Sequence, residues 1–527
     1  MAGIDPSSYD RIPYASLALP QTHPDRLAAT ARIFRLSPPN VAACRVLELG
    51  CASGGNLLPM AFSLPHSEFV GIDASGRQVT DGRATIAALA LRNLRLEQGS
   101  ILDIDETWGR FDFVICHGVF SWVEREVQDA ILEVTSRHLT ESGVAYISYN
   151  TYPGWHMREM VRHMMRYHSS HFSDAQEQID QARALLVFLA SATSKTGPYG
   201  EFIAAEADRA GRAPDSYVFH EHLERTNLPI YFHEFSARAS EHGLQFLSEA
   251  TVSEMLTTHF PAQVAATLER ISPDLVHLEQ YMDFIRNRQF RQTLLCREAQ
   301  RPARTLAADV LRGLLVSSPM QPSAPDVNLA TNAAVAFTTG SKRAEVTNPA
   351  TKAAFALLSE AWPRAVAVDD LCERALEHSA RFLTETPPDE ASREMLEELF
   401  GAVMYGLVGV HTIAPDCANR ASAKPEAHPL AAFQARAGHL VTNAHHQVID
   451  LDPLSREVLI LADGGRTRPA MVDALMESLS EGRLESGAGE AGGTDGKPAS
   501  AQETRTALAE RLEAVLSTLA RNALLVG

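Results

Sequence analysis

Four short segments carry residues whose types and spacing suit the binding of one polar ligand. The run 45–56, RVLELGCASGGN, sets a hydrophobic stretch directly before a loop of small residues that opens a helix. Glycine and alanine there permit a tight turn and close approach of backbone to ligand. A phosphate loop is excluded, because no GK[ST] follows and no lysine is at hand to reach a nucleotide. A dinucleotide fingerprint fits poorly, since the run is Gly50-x-Ala52-x-Gly54-Gly55 and not GxGxxG. Glu48 aims an acid at the loop, which repels pyrophosphate and suits a ligand with a positively charged amino end. Asp73 ends FVGID about twenty residues after the glycines, where a carboxylate accepts hydrogen bonds from both ribose hydroxyls. EQGSILDID (97–105) sets Ser100 and Ile101 where an adenine would lie, and FDFVICHGVFSWV (111–123) sends His117, Ser121 and Trp122 toward a rim. Read alone, the loop also fits a glycine-rich turn of any α/β protein.

These residues need a parallel sheet to hold them. From Arg45 to Tyr149 short apolar runs alternate with longer amphipathic stretches, the signature of βαβ units. Strands are predicted at 45–49, 68–73, 94–98, 112–116 and 144–149, with crossover helices at 57–64, 76–91 and 124–138, the last leading into a turn at Glu141-Ser142-Gly143. Helical periodicity then dominates 155–242, with helices at 157–168, 175–192 and 234–242. LQFLSE (244–249) and FRQTLLC (290–296) read as strands that complete the same sheet at its edge, around a helical stretch at 264–287. The Ser- and Pro-rich run SSPMQPSAPD marks a boundary. Beyond it, RAEVTNP (343–349) and HQVIDLDP (446–453) each precede a pair of helices, which predicts two winged-helix-like units. The expected layout is a cofactor-binding core over 1–155, a helical insertion over 156–300, and winged-helix-like units over 326–425 and 426–527. A Gly/Ala/Ser-rich linker is expected at 481–504.

The chain has 527 residues, too many for one core, and 45% apolar with 21% charged residues is an ordinary globular composition. No apolar run approaches the length of a bilayer span and the start is polar, so a cytoplasmic protein without targeting is expected. Six scattered cysteines without a CxxC pair argue against disulfides and structural zinc. His163, His168, His171, the pair His220 and His222, and His445 with His446 lack an accompanying Cys or carboxylate cluster; they are expected to face solvent or cap helices, and no metal is expected. A net charge of −18 disfavours nucleic acid. From Glu426 onward acidic residues outnumber basic ones 14 to 9, so the C-terminal half suits protein interaction or homodimerisation better than DNA.

In order and spacing, the four segments resemble the class I S-adenosylmethionine methyltransferases. The resemblance implies a Rossmann-like α/β sheet with a helical insertion and a C-terminal α+β winged-helix-like region. It also implies that Glu48, Gly50, Ala52, Gly54 and Asn56 hold the methionine part, Asp73 the ribose, Ser100 and Ile101 the adenine, with His117 at the cofactor's edge. Glycine is commoner at position 52, so Ala52 crowds the loop, and Ser100 stands where many relatives have aspartate.

YISYNTYPGWHMR (146–158) crowds Tyr146, Tyr149, Tyr152 and Trp155 around Asn150 at the carboxyl end of a strand, where ligands bind in such sheets. These rings wall an amine channel or pack a Pro-Gly turn. HGVFSWV, SYNTYPGW, 220–250 and the opening 9–36 are similar to a bacterial subfamily with a methyltransferase regulatory domain, including protein lysine methyltransferases that modify outer-membrane proteins. That implies a lysine acceptor on a protein, with Tyr149, Asn150, Tyr152 and His117 as the residues that orient it. A small-molecule methyltransferase and a non-catalytic cofactor-binding module are the alternatives.

Overall fold

The computed structural model describes residues 10–12, 15–330, 333–383, 387–484 and 500–526. Residues 485–499 of the expected linker lie outside them. The chain forms two compact units: one comprises residues up to Leu17 and Leu36–Ala303, the other Ala18–Arg35 and the chain from Arg304 on. Among the described residues no helix is long and apolar enough to cross a membrane. All six cysteines are free and buried.

The first unit is built on seven strands: β1 (Arg45–Leu49), β2 (Glu68–Asp73), β3 (Leu94–Gln98), β4 (Phe111–Cys116), β5 (Leu139–Asn150), β6 (Leu244–Glu249) and β7 (Phe290–Arg297). Their spatial order is 3-2-1-4-5-7-6, parallel except that β7 runs antiparallel to both neighbours. The predicted edge pair therefore completes the sheet. The turn expected at 141–143 is instead part of a longer β5: partners jump from Phe111↔Leu139 to Phe113↔Val144, so the extra residues are absorbed as an irregularity in the strand. Helices α2 (Leu57–Ser63), α3 (Gly76–Ala88) and α4 (Arg125–His138) are the crossovers. Leu47, Val70, Val114, Ile131, Ile147 and Tyr149 share one buried cluster with residues of α4.

After β5 come α5 (Gly154–Ser169), α6 (Ala175–Ala192), α7 (Pro198–Arg212), α8 (Phe232–Glu241), α9 (Ala262–Ile271) and α10 (Leu275–Arg286). Val161 and Met165 of α5, Ile179 and Leu186 of α6 and Ile203 of α7 form a separate apolar core. His220 and His222 are buried in this insertion, which corrects the expectation of solvent-facing histidines.

The edge of the sheet is fixed by buried charge. Arg291 of β7 is fully buried and donates to Glu249 Oε1 at 2.7 Å, Asp283 at 2.8 and 2.9 Å and Glu279 Oε2 at 3.0 Å, while stacking 3.9 Å above Phe232. Burial works to raise Glu249, but Arg291 and Arg288 outweigh it and lower its pKa. Burial prevails at Glu279, pushed up to about 7, and its Oε1 has no hydrogen-bond partner.

In the second unit, the strands Leu315–Ser317 and Gly409–His411 pair antiparallel. The helix α1 (Pro24–Ile33) belongs here. Asp25 Oδ2 meets His411 Nδ1 at 2.8 Å, and Oδ1 accepts from Thr412 N and Oγ1 at 2.6 and 2.8 Å. Burial would raise this carboxyl, yet the His411 contact and the Thr412 N–H hold it at about 2. His446 is also buried rather than solvent-facing. Ala418 and Leu525 share one core with residues between them, among which Leu454 and Val458, Met471 and Leu475, and Leu512 and Leu516 lie on three helices, 453–461, 468–480 and 501–521.

Removing one member of a buried ion pair costs about 3–5 kcal/mol, because the remaining charges lose their partner. Arg291→Leu is expected to lose stability of that size in urea unfolding. A variant as stable as the parent would show that the cluster does not hold the β7 edge.

Candidate active site

The loop after β1 is pinned before any side chain acts. The Gly50 and Cys51 N–H groups both donate to Ile72 O, at 2.8 and 3.1 Å. Gly50, Ala52 and Gly54 have φ of +76°, +50° and +75°. A methyl on Gly50 would stand 2.3 Å from Val119 Cγ2, so glycine is required both sterically and conformationally. Ala52 carries its Cβ in the left-handed region at a cost of about 1 kcal/mol. Its N–H donates to Asp73 Oδ2 at 2.8 Å, which holds it there.

Glu48 is 3% exposed. Its Oε1 accepts from Asn56 Nδ2 at 2.9 Å, whereas Oε2 is buried without a partner. Asn56 thus orients Glu48, and it does so from the start of α2, where its side chain makes no helix cap. Burial pushes the Glu48 carboxyl up to about 8, with Asp73 adding and Asn56 opposing. An orphaned carboxylate oxygen under a backbone loop fits the ammonium of an amino-acid ligand. Asp73 accepts from Ala52 N and, through Oδ1, from Ser75 N at 2.9 Å. A carboxylate has about four lone-pair directions, so the Ala52, Ser75 and Ala74 N–H groups leave it capacity for a ribose hydroxyl. The residues present therefore fit S-adenosylmethionine at its amino and ribose ends.

The adenine end is less direct. Ser100 Oγ accepts from Leu102 N and Asp103 Oδ2 from Ser100 N, so Ser100 caps the short helix Ile101–Asp103. Ile101 packs into the sheet's apolar cluster. A cleft of about 280 Å³ runs beside them, lined by Ile72, Gln98, Gly99, Asp103 and Trp108 among others.

At the other end of the site, strand alternation sorts the candidates. Tyr146, Ser148 and Asn150 project from one face of β5, and Tyr149 from the opposite one. Tyr149 is fully buried, stacked on Phe235 at 4.1 Å, with its hydroxyl 3.0 Å from Thr293 Oγ1. It lies in the core, apart from the other three candidates. His117 Nδ1 meets the Tyr146 hydroxyl at 2.9 Å, and Gly118 N donates to Ser148 Oγ at 2.9 Å. Burial lowers the His117 pKa to about 4, so its ring is neutral at physiological pH. Asn150 N donates to Ser121 Oγ at 2.8 Å, and its Nδ2 donates to Asn227 Oδ1 at 2.9 Å. The Tyr152 hydroxyl donates to Glu159 at 3.1 Å, and its ring stacks on His156 at 4.0 Å.

Asn227, Glu159 and His156 were not among the expected site residues. Asn227 arrives because Leu228 N and Ile230 N bond to Ser121 O and Asn150 O, laying 226–230 along the end of β5. His156 and Glu159 lie four and seven residues beyond Tyr152, on the first turns of α5, a helical spacing that sequence alone can supply.

Because Glu48 in the free protein stays largely protonated below about pH 8, a ligand ammonium beside it must draw that proton off. Affinity for S-adenosylmethionine is therefore expected to rise with pH toward about 8 and to fall above it, where the ligand's own α-ammonium, with a pKa of about 8, loses its proton. Calorimetry at pH 7 should detect proton release through a buffer-dependent enthalpy, lost in Glu48→Gln. A buffer-independent enthalpy in the parent would remove Glu48 from the ammonium site.

Three family models match this chain in order: a methyltransferase domain over 47–145, a predicted methyltransferase regulatory domain over 214–297, and the C-terminal winged helix domain of PKMT over 423–524. An uncharacterized protein of Rickettsia prowazekii is 35% identical over 490 residues, covering 91% of this chain and 87% of its own. A second from the same organism is 41% identical over 241 residues, 46% of this chain and 96% of its own. The structure of PKMT2 from Rickettsia typhi superposes with a TM-score of 0.87 at 29% identity, covering 98% of this chain and all of that one; its complex with AdoHcy gives 0.86. With the three family models in this order and 35% identity to the first relative over nearly the whole of both chains, the protein belongs to the S-adenosylmethionine-dependent methyltransferases that join a class I domain to a methyltransferase regulatory domain and a PKMT-type winged helix.

Proposed function

We propose that the enzyme methylates the side-chain nitrogen of a lysine in a protein, and that the acceptor belongs among outer-membrane proteins met in the cytoplasm before export. The observation that carries this reading is at the end of β5, where the Asn150 carboxamide is fixed by Asn227, the Tyr152 ring follows two residues on, and a neutral His117 is held by Tyr146 of the same strand. The full-length likeness to Rickettsia typhi PKMT2 supports it.

When bound, the cofactor supplies an electrophilic methyl on a sulfonium. The chain's own residues have to deliver an uncharged amine in line with it. A free lysine ammonium has a pKa of about 10.4, and transfer to an apolar, aromatic surround lowers that. The neutral His117 adds no positive charge to repel the incoming group. The Tyr152 ring, backed by the Glu159 carboxylate, attracts an ammonium to the rim. Asn150, whose Nδ2 is committed to Asn227, keeps its Oδ1 in a fixed position to accept from the amine and aim the nitrogen lone pair. Alignment alone supplies several kcal/mol of the barrier, so no strong base is needed. Tyr149, buried behind β5, has a packing role in this scheme.

The test is to incubate the protein with methyl-labelled S-adenosylmethionine, bacterial lysate and outer-membrane extract, then hydrolyse the labelled protein fraction. Methyl-lysine is expected; label confined to metabolites would overturn the reading in favour of a small-molecule acceptor. In the same assay Asn150→Ala is expected to lower turnover on the order of 10²-fold while cofactor affinity holds. Unchanged turnover would remove Asn150 from the acceptor site.

A further inference from the structure

The acceptor rim continues outward as an apolar surface. Met157 of α5, Phe284 and Ile285 of α10 and Phe290 of β7 are 42%, 46%, 52% and 37% exposed. They belong together. Met157 Sδ lies 4.0 Å from Asn287 Nδ2, and Gly154 N at the head of α5 donates to Arg288 O at 2.9 Å, so the link from α10 to β7 closes against the start of α5. The Phe284 ring is 6.1 Å from Tyr231, which is 5.2 Å from Tyr152, and Phe290 stands edge-on to His117 at 6.0 Å. The surface thus begins at the two residues that flank the acceptor and runs away from them. Exposed apolar side chains grouped in this way mark an interaction site.

The electrostatics select the occupant. Glu159 and Glu234 both lie close enough to Tyr152 to raise its hydroxyl's pKa, although burial is the larger cause. A negative rim beside an apolar face complements a positive group followed by apolar ones. We propose that this face docks the polypeptide that carries the acceptor lysine as an extended segment, with apolar side chains two to four residues from the lysine resting on Phe284, Ile285 and Met157. An extended chain advances about 3.3 Å per residue and points alternate side chains the same way, which matches rings spaced one contact apart outward from Tyr152. Folded proteins keep such side chains in their cores, so the preferred substrate is an unfolded or partly unfolded chain. This inference rests on the lysine reading above.

Two peptides test it, each with one central lysine, flanked at the second and fourth positions on both sides by Val and Phe in one and by Ser in the other. The parent enzyme is expected to show a KM about tenfold lower for the apolar peptide, and Phe284→Ser/Ile285→Ser to abolish that preference. Val187→Ser/Phe188→Ser, on the exposed face of α6, serves as the control and should retain it. Met157→Ser replaces the double variant should that fail to fold, and is read in the same way. Equal KM values in the parent, or a preference that survives the substitutions, overturn the docking face while lysine methylation stands. A double variant that splits a dimer of the parent without moving the peptide KM assigns the face to a second copy of the chain and equally overturns it. If neither peptide is methylated, the lysine reading itself falls, and this inference with it.

Discussion

A guanidinium with no access to water has to be satisfied wholly by the protein, and at Arg291 that demand draws in three carboxylates from two elements beyond its own strand. Glu249 comes from β6, Glu279 and Asp283 from α10. Meeting all three requires β7 to lie, reversed, between β5 and β6. The constraint then passes to β5, because Thr293 donates to Glu249 Oε1 at 3.0 Å and also meets the Tyr149 hydroxyl. Where β5 ends, and which way its last residues face, therefore depends on charge buried two strands away. The raised pKa of Glu279 eases the surplus of acid, since a protonated carboxyl can sit beside Arg291 without adding charge.

The cofactor end rests on a different kind of constraint. There the backbone does the work: three residues in the left-handed region, two N–H groups on one carbonyl, and a carboxylate that holds the loop from β2. Among the side chains there, Glu48, steadied by Asn56, and Asp73 keep capacity left over. The two ends of the site are thus built separately, one from strained backbone and one from alternation along a strand, and both are anchored in the same sheet.

Much of this was legible in the sequence. Strands β1, β2, β3 and β6 fall at the predicted residues because each is a short apolar run closed by turn chemistry, and α6 matches its periodicity end to end. The glycine loop and Asp73 could be read from spacing. Tyr149 could have been sorted as well: neighbours on a strand point to opposite faces, so Tyr149 and Asn150 project to different sides of β5. What the sequence hides is long-range. Nothing local says that Asn227 meets Asn150, that Ser100 spends its hydroxyl as a cap, or that His220 and His446 are buried, because each depends on a segment arriving from elsewhere in the chain. The start of β5 is longer than predicted: Leu139 already pairs with Phe111, and Glu141-Ser142-Gly143, of turn composition, bulge out without β4 partners before Val144 rejoins at Phe113.

The helix α1 lies near the start of the chain, yet its Asp25 completes a unit whose other residues begin at Arg304. On the ribosome, α1 emerges long before His411, and the first unit can fold in the interval as a loop inserted between two parts of the second. Until the strand that carries His411 emerges, Asp25 of α1 has to wait without its partners. A fragment begun at Arg304 would lack the carboxylate that receives His411 and the Thr412 N–H. The second unit is therefore not separable by one cut, and the order of synthesis makes the emergence of His411 and Thr412 the event that satisfies Asp25.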